Sequence, residues 1–183
     1  MITADELRSF MRRRRPVRFG RPHDSSSITG YISGVGAALF LVTAVDEAVR
    51  FDGFHVVRTR DVRDLDVAPH AEFIEAALGK RRLSRPAPPR LDLQSFGHML
   101  RQVGRRFPLV TIHRERVDPE VCQIGAVAEV NQDRVILREI DPNGRWHTQR
   151  DTYALREITR VDFGGAYEDA LHLVGGVSPL AKP

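Results

Sequence analysis

The feature that most constrains this chain is that it is written twice. Residues 30–78 recur as residues 125–174, with Gly30, Ile32 and Val35 standing over Gly125, Val127 and Val130 at an offset of 95. One inserted residue later the offset is 96, so that Arg156-Glu157-Ile158 overlies Arg60-Asp61-Val62 and Asp162 overlies Asp66. Self-similarity at one long period means a single supersecondary unit used twice, here two units of roughly 90 residues that share an interface.

Within each copy the apolar spacing names the elements. Thr3-Ala4-Asp5-Glu6 has the form of a capping box, and Leu7, Phe10 and Met11 follow at helical spacing until Pro16. Val17-Arg18-Phe19 alternates as a strand, residues 21–27 read as loop, and residues 28–35, 38–42, 51–57 and 61–67 read as further strands. After Pro69, Phe73, Ile74, Ala77 and Leu78 share one helical face. Residues 80–90 are a Pro- and Arg-rich linker, expected to be extended and semi-rigid. The second copy then begins with a helix carrying Leu93, Phe96, Leu100, Val103 and Phe107, for which Asp92 is the expected cap. It ends with one carrying Tyr167, Ala170, Leu171 and Val174. The expected division is 1–79, the linker 80–90, 91–176, and a flexible tail at 177–183.

Helix, five short strands and helix, with a Gly in the second strand and an acid-Ile/Val step before the last, resembles an Sm-like or SH3-like small barrel. The resemblance covers nearly the whole chain as two tandem copies and extends to bacterial families of uncharacterised function. It implies a mainly β (α+β) fold of two small barrels, each with an N-terminal and a C-terminal short helix. Sm-like proteins bind RNA through an Asp and an Asn between the second and third strands and a basic-Gly step between the fourth and fifth. Here the Asp position holds Gly36 and Asn131, the Asn position holds Phe40 and Val135, and no Arg-Gly step precedes Leu65 or Val161. The likeness therefore carries the fold and not the RNA-binding residues.

Chemistry-bearing patterns are sparse. Cys122 is the only cysteine, which excludes an internal disulfide or a thiolate zinc cluster, and it is expected to be a buried or half-buried strand residue. Seven histidines are dispersed without an i, i+4 pair, so no metal and no cofactor is expected. His113 and His147 could approach each other across strands, but both read as surface positions. The acids of 61–66 and 157–162 alternate with Val, Leu and Ile and read as the wet face of a one-sided strand. Gly34-Val35-Gly36 lacks the third Gly and the following helix of a nucleotide loop. No catalytic residue is named, and the expectation is a chain that is not an enzyme.

Charge points further. A formal net charge of +4 is carried almost wholly by Arg, which pairs in bidentate fashion with phosphate, although a GC-rich coding sequence yields the same bias. The candidate nucleic-acid residues are Arg12, Arg13, Arg14, Arg15, Arg105, Arg106, Arg114, Arg116 and Arg145, with Trp146 and Phe51 as stacking groups at equivalent loop tips. The expected function is a non-enzymatic module binding RNA or DNA. The alternative is a protein-interaction or self-assembly module pairing through barrel edges, between the repeats or between chains. No run approaches the roughly 18 apolar residues of a membrane span, and the N-terminus lacks the order of a signal peptide, so the cytoplasm is the default compartment.

Overall fold

Period-two alternation dominates the chain, and it folds into strands that pair with their sequence neighbours. A computed structural model describes residues 2–179, so the part of the expected tail from residue 180 lies outside the described residues. The elements are α1 (Ala4–Arg13), β1 (Val17–Arg21), β2 (Asp24–Val35), β3 (Leu39–Val45), β4 (Phe51–Arg58), a 3-10 turn (Thr59–Asp61), β5 (Arg63–Val67) and α2 (Ala71–Lys80). They continue as α3 (Phe96–Val103), β6 (Val110–His113), β7 (Cys122–Val130), β8 (Arg134–Glu139), β9 (Asp151–Ala154), β10 (Arg160–Phe163) and α4 (Ala166–Gly175).

All the strands pair antiparallel in one unclosed sheet of order β5-β1-β2-β3-β4-β10-β6-β7-β8-β9. The second half repeats the order of the first, and the registers coincide. Gly30 faces Ala44 as Gly125 faces Glu139, and the β2–β3 ladder slips between Ile32 and Gly34 where the β7–β8 ladder slips between Val127 and Glu129. The repeat glycines are there because the neighbouring strand passes too close for a side chain. A Cβ on Gly30 would lie 2.4 Å from the Thr43 carbonyl oxygen, and one on Gly125 would lie 2.3 Å from that of Arg138.

The two halves join where β4 pairs with β10, Val57 facing Arg160 and Phe54 facing Phe163. Leu39, Leu41, Phe54 and Val56 of the first half pack in one core with Phe96, Met99, Leu100, Ile112 and Phe163 of the second. Phe163 stacks on Phe54 at 5.7 Å between ring centres. Removing this apolar surface of both halves from water is the main force that holds them as one body.

The expected capping box forms at the start of α1, where Thr3 and Glu6 bond reciprocally. Three other local expectations are corrected. The cap of α3 is Ser95, whose Oγ accepts from the His98 amide at 3.2 Å, while Asp92 folds an earlier turn by accepting from the Gln94 amide. Residues 24–27 belong to β2, because pairing with β1 outweighs the loop preference of serine. Residues 59–61 form a 3-10 turn, so the last strand of the first half is shorter than its alternation. No helix among the described residues is long and apolar enough to cross a membrane.

Candidate functional site

Two pockets occupy the same place in the two halves. The larger, about 430 Å³, lies at the N-terminus of α3 and is lined by Ser95, Gly97, Arg101, Asn131, Gln132, Leu155, Arg156 and Arg58. The smaller, about 300 Å³, lies at the N-terminus of α1 and is lined by Ala4, Ala37, Ala38, Thr59, Arg60 and again Arg58. The correspondence is that of the repeat: the turn before the third strand, the turn after the fourth, and the start of the preceding helix. Arg60 and Arg156 are repeat partners, and both are exposed.

Arg58 belongs to both pockets. Its Nε donates to the Ile158 carbonyl and its Nη2 to that of Leu155, each at 2.8 Å, and its guanidinium lies 4.6 Å from the centre of the Phe96 ring. Burial lowers its pKa, with the neighbouring Arg60 charge adding to the effect. Arg101 is held in the same manner, its Nε and Nη2 donating to the Val130 and Asn131 carbonyls at 3.1 and 3.0 Å. These arginines are positioned by backbone carbonyls, which fix them without neutralising their charge. Neither pocket is lined by an acidic residue and the first turn of α3 carries none, but the Asp92 carboxylate lies 2.9 Å from His98 at the rim of the larger pocket. Asn131, at the Asp position of the resembled family, spends its side chain on its own turn, Oδ1 accepting from the Arg134 amide at 2.9 Å. Phe40 and Val135, at the family Asn position, are fully buried.

The arginines singled out by charge density lie elsewhere, and Arg13, Arg15, Arg106, Arg114 and Arg116 each meet a different group. Arg12, Arg13 and Arg14 are exposed at the far end of α1 from the pocket, Arg13 lying over Phe10 at 5.2 Å, and Arg15 lies 3.6 Å from Glu75. Arg105 and Arg106 follow α3, where Arg106 donates to the Arg90 carbonyl at 3.0 Å. Arg114 pairs with Glu157 at 3.4 Å and covers Tyr153, while Arg116 pairs with the buried carboxylate of Asp61. Arg145 is exposed. Trp146 packs with Leu109, Ile140 and Leu171 and donates from Nε1 to the Gly175 carbonyl at 2.9 Å. Phe51 packs against Tyr31 at 6.0 Å. Both aromatics serve as packing groups under α4 and α2, because each loop tip folds back onto its helix. The signal that could have found the pockets was the matched pair Arg60 and Arg156, masked by the denser run at 12–15.

A third cleft, about 220 Å³, opens over the junction strands between Asp52, His55, Thr111, His113, Cys122, Asp162 and Glu168. The Asp162 carboxylate accepts from His113 at 2.8 Å and lies 3.1 Å from Arg160 and 3.8 Å from His55. Burial pushes this carboxyl up, but His55, Arg160 and His113 outweigh it and hold it well below the usual aspartate range. Burial lowers the pKa of His55 and raises that of Glu168, which accepts from the Thr111 hydroxyl. Asp52 accepts from the Ala166 amide at 2.7 Å and so caps α4 from the other half of the chain. Two expectations are reversed in this cleft and beside it. Asp61 is a buried acid and Asp162 a half-buried one, while Asp64 and Asp66 keep the expected exposed face, and His113, expected at the surface, is half-buried and bonds Asp162 across the sheet. Cys122 is exposed, opposite His113 in the β6–β7 ladder. Partial desolvation and the Asp162 charge raise its pKa, the opposite of what a nucleophilic thiol needs.

Glu139, His147 and Asp151 offer ligand atoms within 4.8 Å of one another, with Tyr153 donating to Glu139. They are the described residues whose spacing admits a cation. No protein-family model, no curated protein and no solved structure matches the chain.

Proposed function

We propose that the chain is a non-enzymatic binding module that holds a single strand of RNA or DNA along the two arginine-lined pockets, and that each half is a small barrel of the Sm-like or SH3-like kind. The observation that carries this reading is Arg58, one side chain lining both repeat-equivalent pockets and joining them into a path across the junction. Cations held by neutral carbonyls, the N-terminus of α3 and the Gln94 and Gln132 amides make a surface for phosphates and base edges. Arg12 to Arg15, Arg105 and Arg106 add positive potential that concentrates a polyanion near this path.

Fluorescence anisotropy with labelled single-stranded oligonucleotides tests the reading. Binding is expected at about 50 mM salt, with a log-log salt slope near −0.7 for each phosphate neutralised. Arg60→Glu and Arg156→Glu should each weaken binding and flatten that slope. An absence of binding to both RNA and DNA at low salt, or equal affinity in the doubly reversed variant, removes the proposal. A protein partner is the second reading, favoured by the unpaired edges β5 and β9.

A further inference from the structure

The registers identify which strands are counterparts. Phe40 faces Val57 across β3 and β4, and Val135 faces Tyr153 across β8 and β9, so β9 is the second-half counterpart of β4 and Asp151 stands where His55 does. Arg18 faces Asp66 across β1 and β5, and Thr111 faces Asp162 across β6 and β10, so β5 is the counterpart of β10 and Asp66 stands where Asp162 does. The chain joins its own halves by pairing β4 with β10, His55 opposite Asp162. One edge of each kind is left over, β5 at one end of the sheet and β9 at the other. A second copy offering β9 to β5 has the backbone to continue the sheet in the same antiparallel sense along residues 65–67, while at Asp64, whose φ is 51° beside a register shift, the edge departs from β10.

The side chains forbid it. In the junction register the His–Asp pair becomes Asp151 opposite Asp66, with Leu65 opposite Thr152 and Asp64 opposite Tyr153. A slip of two residues in one direction brings Asp64 opposite Asp151 instead. Asp64 and Asp66 are exposed on β5, so the edge meets an incoming β9 with a carboxylate in either register. Like charges directly opposite each other destabilise a ladder, and charged residues are a common guard on unpaired edges.

We infer that the free edges are matched in backbone and opposed in charge, so that Asp66 and Asp151 stop the sheet at ten strands and keep copies of this chain from joining head to tail. The contact is heterologous, so a single reversal on either edge licenses extended or ring-closed assemblies. The inference concerns the protein without ligand and stands apart from the nucleic-acid reading.

Sedimentation velocity and light scattering on four proteins test it. The wild-type chain is expected at its monomer mass of 20.7 kDa. Asp66→Lys alone and Asp151→Lys alone should each run at twice that mass or more, and the double reversal should return to monomer because lysine then faces lysine. Two independent single variants guard against one that does not fold, with circular dichroism as the check. A wild-type chain above monomer mass, folded single reversals that both stay monomeric, or a double reversal that assembles like the singles overturns the inference.

Discussion

Arg21, at the end of β1, and Glu115, just after β6, form a buried ion pair that ties the two halves together across 94 positions of sequence. The Arg21 Nη1 reaches both Glu115 carboxylate oxygens, at 2.6 and 2.8 Å, and the two side chains are 2% and 5% exposed. The Thr159 hydroxyl also bonds Glu115. Removing either side chain breaks this buried pair, so Glu115→Ala or Arg21→Ala should cost about 3 to 5 kcal/mol. Replacing both with apolar residues of similar size should cost less than either single change. Urea unfolding measures this, and a single transition for both halves is expected because they share a core.

Glycine positions separate steric need from conformational cost. Gly30→Ala and Gly125→Ala each force a methyl onto a neighbouring backbone oxygen and should lose about 2 to 3 kcal/mol or more. Gly79 lies within α2 with open space around it, so Gly79→Ala should gain about 0.5 to 1 kcal/mol by helix propensity. Shifts of the denaturant midpoint in opposite directions are the expected outcome.

Acid should weaken the protein in two steps. Burial lowers His55 below its ordinary 6.5, and its neighbours hold Asp162 below its ordinary 3.8. Both groups bind protons more tightly in the unfolded chain, so stability is lost as pH falls through the region below 6.5 and again below 3.8. Glu168 works in the opposite sense. Burial raises its pKa, so its contribution is present below the ordinary 4.5 and fades as pH rises through its folded value. His55→Gln should remove the upper step and, because His55 helps hold Asp162 low, diminish the lower without abolishing it, as read from urea midpoints across pH. A variant that keeps both steps would assign the upper one to another group.

Trp146 separates packing from recognition. Its ring is half-buried with Leu109, Ile140 and Leu171 beneath α4, so Trp146→Ala should cost about 2 to 3 kcal/mol. Oligonucleotide affinity at temperatures where the variant is folded should stay unchanged, since the side chain faces its own core.

Much of the fold was legible because its causes are local. The capping box at Thr3 and Glu6, the apolar runs of β3 and β8, and the proline stops after α1 and β5 are short-range rules that the chain obeys where they are written. The helix start at Ser95 is obscured because Asp92, an equally good capping residue, stands three positions earlier. The pockets were not legible, because Arg58 and Arg101 gain their role from carbonyls of distant loops.

Asp66 and Asp162 mark the limit of what the sequence determines. They occupy the same strand of the same repeat, each flanked by an apolar pattern of the same period, and nothing in their local text separates them. Sterics and hydrophobic spacing within each copy set the unit: the apolar skeleton, the glycines where strands touch, and the fact of two copies. It is the docking of the halves that sets the second copy's last strand against β4, placing β10 in the middle of the sheet and leaving β5 at its edge. Asp162 is thereby half-buried between two histidines and an arginine, while Asp66 stays in water. Burial depends on what pairs across about 100 residues of chain, and no local rule contains it.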